Sequence, residues 1–408
     1  MTPPPFVLDA HVDSLLRSVD LGHDLGLEGP GHLDLVRGRR GGLGAVVLTA
    51  WCEPAYIDPA DPGAFVAPAP AWDPPADLAA PPSPDVAPDP DPAPGIGGAF
   101  HRTRRLVEAG RSLCARHPDL ASLATTAAHL AAARRPGAPT AVLLGIEGGH
   151  AIESSLAKLE AFHALGVRLM TLVWNNHLPW IRSCRPVPDD LGFEPPAGLS
   201  DFGRGVVECM GELGMVVDLS HAGDAAVDDA LATSNRPLLA SHSGCRALHD
   251  HPRNLTDDQL RRLADAGGCV GIVFHGAFLD AGAQAASEAI YASADYRAIG
   301  TEPGSELEQS GAARWLAKCA FHQREAEPFG LDLVADHVLH AIDVAGEQAV
   351  GLGSDFDGIP RTPADLRSAE DYPRLAERLL ERGLTARQVD GVMGGNLARL
   401  FAEVLGAG

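Results

Sequence analysis

The stretch Phe6-Val7-Leu8-Asp9-Ala10-His11-Val12-Asp13 is an apolar run that ends in a His-x-Asp pair. On a β-strand, side chains two residues apart point to the same face. His11 and Asp13 therefore project together from the end of the predicted strand, with an imidazole nitrogen beside a carboxylate oxygen. Such a pair suits a borderline divalent cation such as zinc. Because the chain has 17 histidines, the pair is meaningful only if later strands carry matching residues.

The composition restricts the classes of protein to consider. The chain has 408 residues, of which 45% are hydrophobic, and this is enough for a large core. α/β barrels commonly reach this size as a single domain. The net charge of −22 argues against a nucleic-acid or anionic-membrane surface. The charge says little about the substrate, since the potential of an active site can differ from that of the whole molecule.

Cysteine usage and the chain termini favour a reducing compartment. Seven cysteines occur without a Cys-x-x-Cys pair, so neither a disulfide framework nor a structural zinc knuckle is expected. Residues 1–5 lack the basic and apolar regions of a secretory signal, and no run approaches the length of a membrane span. Residues 404–408 lack the tail of a lipid-anchor signal. We therefore expect a cytoplasmic protein without a membrane segment.

Seven further apolar stretches have the length and composition of β-strands. They lie at residues 44–51, 140–147, 167–174, 214–221, 237–243, 269–274 and 349–358. Patterns typical of helices separate most of them, at residues 99–117, 119–134, 151–165, 201–213, 224–234, 256–267 and 331–345. Two amphipathic helices close the chain, at 364–382 and 385–402. Strands that mostly alternate with helices predict a parallel sheet, and eight strands are the number of a closed (β/α)8 TIM barrel.

A doubly wound open sheet is the alternative fold, but it would be expected to carry a Gly-rich phosphate loop after its first strand. Residues 53–98 interrupt the barrel pattern, because Pro, Ala and Asp dominate and neither Lys nor Arg occurs. Such a stretch buries too little apolar surface to offset its ordering entropy, so we predict a disordered or extended surface insertion. A partner-binding arm is the other interpretation. The whole chain, 1–408, is thus predicted to be one barrel domain.

Side chains of metal-ligand or acid–base type stand at five of the eight predicted strand ends. They are His11 and Asp13, then Glu147, His221, His242 and Asp355. In a closed barrel the C-terminal ends of all strands lie at one face, where active sites are found. Each residue alone has an ordinary structural explanation, such as a capping carboxylate or a satisfied polar group. Their joint occurrence indicates a metal-dependent active site.

Three histidines, one Asp and one Glu suit two metal ions that share a bridging carboxylate. His11 and Asp13 would hold one ion, and His221 and His242 the other. Glu147 would bridge them. Imidazole and carboxylate ligands suit two Zn²⁺ ions, with Mn, Co or Fe as alternatives. Two such ions would activate a bridging hydroxide for attack on a carbonyl, and the remaining aspartate would pass a proton to the leaving amine.

Six short motifs occur in an order that is specific. They are Asp-Ala-His-Val-Asp (9–13), Gly-Ile-Glu-Gly-Gly-His (145–150), Asp-Leu-Ser-His (218–221), Ser-His-Ser (241–243), Pro-Arg-Asn (252–254) and Gly-Ser-Asp-Phe-Asp-Gly (353–358). With them the sequence resembles the membrane dipeptidases, renal dipeptidase-like metallopeptidases with an amidohydrolase-type barrel. The resemblance implies hydrolysis of dipeptides, often with a D-residue on the C-terminal side, by a dinuclear zinc site on the five ligands above. It also implies Asp355 as the acid–base group and Arg253 as the residue that binds the terminal carboxylate of the substrate.

The sequence departs from that family at one substrate contact. The family often has a His after the fourth strand in a Thr-Leu-Thr-His context, and here Trp174 stands at that position in Thr-Leu-Val-Trp. His177, three residues on, is the candidate substitute. Because of this departure, the alternative function is that of a dinuclear metal hydrolase that acts on another small amide, a lactam or an ester. A metal-binding scaffold without catalysis is a third hypothesis. The family suggests homodimers, for which the sequence itself gives no argument.

Overall fold

The computed structural model describes residues 5–53, 98–303, 305 and 310–406. Apart from its two end residues, the predicted insertion at 53–98 lies outside these ranges. Parallel strands form a single sheet in the described chain. In chain order they are β1 (Val7–Val12), β2 (Leu43–Trp51), β3 (Ala121–Leu123), β4 (Thr140–Glu147), β5 (Val167–Thr171), β6 (Val216–Asp218), β7 (Leu239–Ser243), β8 (Cys269–Ile272) and β9 (Val350–Leu352).

Eight of these strands close into a barrel. Their spatial order is β2-β1-β9-β8-β7-β6-β5-β4, and β2 also pairs with β4 from Ala45↔Ala141 to Trp51↔Glu147. The predicted (β/α)8 TIM barrel is thereby confirmed. β3 is an additional short strand beside the start of β4, where Ala121 pairs with Thr140. The barrel strands could be predicted because strands covered on both faces form nearly continuous apolar runs.

Several strands end earlier than their apolar runs suggested. The predicted strand 214–221 is regular only at Val216–Asp218, and the predicted strand 349–358 only at Val350–Leu352. His221 and Asp355 have φ of 69° and 60°, which is the left-handed region. An extended strand cannot continue through such a residue, so the chain turns before the polar side chains are reached.

Helices surround the barrel. They are α1 (Leu15–Leu21), α2 (Leu35–Arg40), α3 (Gly98–Arg116), α4 (Ala127–Ala133), α5 (Leu156–Ala164), α6 (Asp201–Leu213), α7 (Asp224–Thr233), α8 (Asp257–Asp265), α9 (Gly276–Leu279), α10 (Ala281–Ala292), α11 (Ala294–Ala298), α12 (Gly311–Glu325), α13 (Leu331–Ala345), α14 (Tyr372–Glu381), α15 (Ala386–Asp390) and α16 (Asn396–Leu405). Short 3₁₀ turns lie at Gly149–Ile152 and Ala369–Asp371, and a π-helical turn at Gly391–Gly395 joins the last two helices. Thr256 and Thr385 each form a capping box at the start of a helix.

Four sequence predictions about helices need correction. The predicted helix 364–382 begins only at Tyr372, after the 3₁₀ turn at Ala369–Asp371. The predicted helix 119–134 is wrong in its first half, because that part forms β3 and the helix begins only after its N-cap Thr126. Residues 14–43, which show no convincing periodicity, contain α1 and α2. The connection 275–348 contains four helices before α13 in its described part. The helices of four to seven residues in these regions, α1, α2, α4, α9 and α11, complete too few turns to show a period, so tertiary packing rather than local pattern decides them. This reason does not apply to α10 and α12, which have 12 and 15 residues.

The core has two apolar clusters in the part of the chain that the structure describes. The larger one packs the outer faces of the strands against the surrounding helices. The second cluster joins residues near the strand starts, such as Leu8 and Leu143, to Leu400 and Phe401 of α16. The last helix therefore covers the N-terminal end of the barrel and leaves the C-terminal end free for a site. Within the described ranges, no helix combines the length and the apolar character needed to cross a membrane.

Candidate active site

The C-terminal end of the barrel brings the predicted metal-ligating residues together. Oε1 of Glu147 lies 3.0 Å from Nε2 of His221 and 3.5 Å from Nε2 of His242. The same oxygen lies 3.7 Å from Nε2 of His11, and that nitrogen lies 3.6 Å from Oδ2 of Asp13. All five residues are buried. Glu147 thus lies close to all three histidines of the group.

Two overlapping groups of side chains offer ligand atoms to a cation. The ligand atoms of His11, Glu147 and His242 lie within 4.8 Å of one another. Those of His11, Asp13 and Asp355 lie within the same limit. The sequence predicts Asp355 to be a proton carrier and not a metal ligand. Its position is close enough to the other ligand atoms for either role.

The pocket chemistry fits positive ions. Nε2 of His11 is buried and has no hydrogen-bond partner in the described part of the chain. A Cβ at Gly358 would lie 2.1 Å from Oδ2 of Asp13 and 2.2 Å from Oδ1 of Asp355, so only glycine leaves both oxygens in place. An unpartnered imidazole nitrogen beside crowded carboxylates is expected where a metal completes the coordination.

Burial and neighbouring charges give the three histidines different pKa values. Burial lowers the pKa of His221 and of His242 well below the usual range, with a further contribution from the positive charges of Arg253 and His11. Both imidazoles are therefore neutral and have a lone pair for a metal. Burial also lowers the pKa of His11, but Asp13 and Glu147 outweigh it and hold that pKa well above the usual range.

The acidic groups repel one another in the absence of a cation. Burial, followed by repulsion from Asp13, raises the pKa of Glu147. The same two causes raise the pKa of Asp355 well above the usual range of a carboxyl group. Because a bound cation favours the ionised forms of these groups, their arrangement is one that metal binding would stabilise.

Hydrogen bonds behind the ligands orient their rings. The hydroxyl oxygen of Ser241 lies 2.8 Å from Nδ1 of His242 and 3.3 Å from Nδ1 of His11. Asn175 Oδ1 lies 3.0 Å from Nδ1 of His221. Such partners fix which ring nitrogen faces a metal. Sequence reasoning missed Ser241 and Asn175 as functional residues, although Ser241 stands inside one of the family motifs.

Alternation of side chains along its strand predicts that Asp218 points away from His221 and has only a structural role, but the structure gives it a part in the site. Its carboxylate accepts hydrogen bonds from the hydroxyls of Thr171 and Ser241 and from the backbone N–H groups of Ser220 and Ser241. It therefore acts on the ligands through Ser241. The regular strand β6 ends at Asp218, so alternation along the strand does not extend to His221.

A cavity of about 430 Å³ opens over these residues. Asp13, Glu147, His221, Asp355 and Arg253 lie in its wall. Pockets that hold small ligands have volumes from about 300 to 1,000 Å³, so the space suits a molecule of dipeptide size.

Arg253 presents unused hydrogen-bond donors at this cavity. The side chain is buried, and Nη2 donates to the backbone oxygen of His242 at 3.2 Å. Its Nε and Nη1 atoms have no partner among the described residues. Since a buried guanidinium without partners is costly, these donors indicate an anionic ligand such as a carboxylate.

Trp174 and His177, the two candidates for the substrate contact that the family often makes through a histidine, have different surroundings in the structure. Trp174 lines the cavity, with its ring centroid 5.1 Å from that of Trp51 and 6.1 Å from that of His221. His177 instead uses both ring nitrogens within its loop, at 3.2 Å from the N–H of Ser183 and 3.1 Å from the backbone oxygen of Pro186. We therefore do not include His177 among the proposed substrate contacts, because its hydrogen-bonding capacity is already used.

Comparison with known proteins gives a consistent result. The sequence model of the membrane dipeptidase family, peptidase family M19, matches residues 4–407. An uncharacterised dipeptidase of Schizosaccharomyces pombe is 34% identical over 302 residues, which are 74% of this chain and 60% of that protein. Dipeptidase 3 of Mus musculus is 33% identical over 294 residues, which are 72% of this chain and 50% of that protein. The matched part of the chain thus corresponds to 50–60% of the length of these relatives.

Solved structures show the same fold. A metallo peptidase of Rhodobacter sphaeroides, solved with a phosphinate mimic of the dipeptide L-Ala-D-Ala, has a TM-score of 0.71 at 24% identity, covering 98% of this chain and 99% of that chain. The fold, the match along nearly the whole sequence and the identity to curated dipeptidases agree. The chain belongs to the membrane dipeptidase family, peptidase family M19.

Proposed function

We propose that the chain hydrolyses dipeptides, including those with a D-residue on the C-terminal side, with two Zn²⁺ ions as cofactors. The observation that carries the proposal is the position of Glu147. One oxygen of this carboxylate lies 3.0, 3.5 and 3.7 Å from the Nε2 atoms of three histidines. A carboxylate among three imidazoles, with further carboxylates beside it, is a donor set suited to two ions.

The five residues of the cluster would hold these ions, and they are His11, Asp13, Glu147, His221 and His242. When bound, two such ions lower the pKa of water and polarise a carbonyl oxygen. Nitrogen and oxygen donors favour zinc, and the same donors accept Mn, Co or Fe. The remaining tasks of the reaction fall to side chains of the chain itself.

Asp355 is the proposed proton carrier. Its carboxylate lies beside the ligand atoms of His11 and Asp13, within 4.8 Å, where the ions would be held. In the metal-free protein, burial and then the negative charge of Asp13 raise its pKa well above the usual range. In the proposed reaction this group takes a proton from the attacking water and gives it to the amine that leaves. General acid–base catalysis of this kind accelerates reactions by about 10²–10⁴-fold.

Arg253 and the tryptophans would position the substrate. The unpartnered donors of the Arg253 guanidinium are suited to the terminal carboxylate of a dipeptide. Trp51 and Trp174 form an adjoining apolar wall, which reduces the access of bulk water to the peptide bond. The binding of a dipeptide mimic by the Rhodobacter sphaeroides protein supports this class of substrate.

Metal analysis and a dipeptide panel test the proposal together. We would measure the metal content by mass spectrometry and the hydrolysis of L,L and L,D dipeptides before and after chelation. Two ions per chain with chelator-sensitive cleavage are expected. His242→Asn should lose metal, whereas His129→Asn, a change of an exposed histidine in α4, should keep it. A protein supplied with zinc that binds none would refute the proposed site.

A second candidate function is the hydrolysis of another small amide, a lactam or an ester at the same site. It is favoured by Trp174, which lines the cavity at the sequence position where the family often has a histidine. Two bound ions without cleavage of any dipeptide, together with turnover of a lactam or an ester, would support this candidate instead.

A further inference from the structure

One face of α12 brings two basic side chains to the cavity. Gly311, Arg314, Trp315 and Lys318 all lie in the cavity wall. Their spacing of three, four and seven residues from Gly311 places them on one side of the helix. Nε1 of Trp315 donates a hydrogen bond to the backbone oxygen of Asp357 at 2.9 Å. This bond ties the basic face to the loop after β9, next to the proposed proton carrier.

The two basic groups have no acidic partner in the described structure. Neither Arg314 nor Lys318 has a carboxylate oxygen within 4 Å there, and both side chains are only half-buried. The Lys318 ammonium lies 5.0 Å from the ring centroid of Tyr296. By contrast, Arg17 in the same cavity wall has its Nε 2.9 Å from Oδ2 of Asp357. Among the described residues, the positive charge of the α12 face is therefore not neutralised by an ion pair.

The acidic groups elsewhere in the wall are already paired. Asp20 accepts two hydrogen bonds of 2.7 Å from Arg102, and the Nε of this arginine lies 3.7 Å from Oε2 of Glu53. The other carboxylates of the wall belong to the metal cluster or to the Arg17 pair. Among the described wall residues, the charge left for a ligand beyond the metal cluster is thus positive, although the chain as a whole has a net charge of −22.

We propose that Arg314 and Lys318 select dipeptides that carry an acidic side chain. This inference rests on the proposed dipeptidase function and adds the class of substrate to it. Arg253 takes the terminal carboxylate, so the α12 cations remain for a second carboxylate, that of an Asp or Glu residue. Lys and Arg side chains bind carboxylates through charge-assisted hydrogen bonds, which are stronger than those to a neutral amide.

Pairs of substrates that differ only in this charge test the proposal. We would compare kcat/KM for Ala-Glu with Ala-Gln, and for Glu-Ala with Gln-Ala, using both L- and D-residues at the C-terminal position. The acid should exceed its amide by about tenfold in one of the two positions, since a hydrogen bond to a charged group contributes that much. This preference should decline as the salt concentration rises, because half-exposed charges are screened.

Variants of α12 connect the preference to the two residues. In a protein with both Arg314→Gln and Lys318→Met, the ratio of acid to amide turnover should fall towards one. Arg324→Gln is the matched control, because Arg324 is on the same helix but pairs with Glu325 and lies outside the described cavity wall. The control should keep the wild-type ratio.

The outcomes separate this inference from the proposed function. Equal cleavage of the acid and the amide, or a preference that persists in the double variant, would overturn the role of α12 while leaving the dipeptidase function intact. Failure to cleave any dipeptide, charged or neutral, would refute the proposed function, and the inference with it.

Discussion

A single hydroxyl group, that of Ser241, orients two of the proposed metal ligands. Its oxygen lies 2.8 Å from Nδ1 of His242, 3.3 Å from Nδ1 of His11 and 2.6 Å from Oδ2 of Asp218. A serine hydroxyl has one proton and two acceptor sites. The carboxylate of Asp218 takes the proton, so the oxygen accepts an Nδ1–H from each imidazole. Both rings are thereby held with Nε2 towards Glu147.

Ser241→Ala removes the partner of both rings. Loss of such a hydrogen bond lowers metal affinity by about 10–100-fold. Because two ligands lose their partner at once, we expect the upper end of this range. Each buried Nδ1–H left without a partner costs about 1–3 kcal/mol of stability. With two such groups, we therefore also expect the unfolding free energy of the metal-free protein to fall by about 2–6 kcal/mol.

Competition with a chromophoric chelator measures the Zn²⁺ affinity, and denaturant unfolding of the chelated protein measures the stability. Thr140→Val is a suitable control, since Thr140 donates a hydrogen bond of 3.0 Å to the backbone oxygen of Leu43 at the start of β4, away from the site. This variant should lose stability and keep its metal affinity. A Ser241→Ala protein with the metal affinity of the wild type would refute the argument that one hydroxyl orients both rings.

Three further predictions concern the same site. Asp355→Asn should keep its metal and lose about 10²–10⁴-fold in kcat, and unchanged turnover would contradict its role as proton carrier. In the metal-free protein, burial lowers the pKa of His11, but the negative charges of Asp13 and Glu147 raise it by more than burial lowers it. The pKa of His11 therefore lies well above its usual range, and this histidine holds a proton at neutral pH. Metal uptake must release that proton, so the metal affinity should rise with pH. Calorimetry in buffers of different ionisation enthalpy measures the number of protons released. Metal binding without proton release at pH 7 would contradict the prediction. Gly358→Ala should lower the metal content, because the new Cβ would lie 2.1 Å from an oxygen of Asp13; an unchanged content by mass spectrometry would show that the loop can shift.

The sequence by itself determined the barrel and the kind of chemistry at its end. Strands covered on both faces must be apolar throughout, so eight apolar runs marked eight barrel strands. In a parallel barrel the strand ends share one face, and this rule was enough to place residues as distant as His11 and His242 together. The structure confirms their proximity through Glu147, which lies 3.7 Å from the first and 3.5 Å from the second.

Only the tertiary structure decided how the side chains at that face are used. It joins Ser241 to His11 across 230 positions of sequence, and it turns the basic face of α12 towards the cavity. In the structure, both ring nitrogens of His177 also form hydrogen bonds with backbone groups of its own loop. The periodicity of apolar residues in a sequence indicates on which side of its own helix or strand a residue lies. Hydrogen bonds, charge compensation and cavity walls depend on elements distant in sequence, so no local pattern records them.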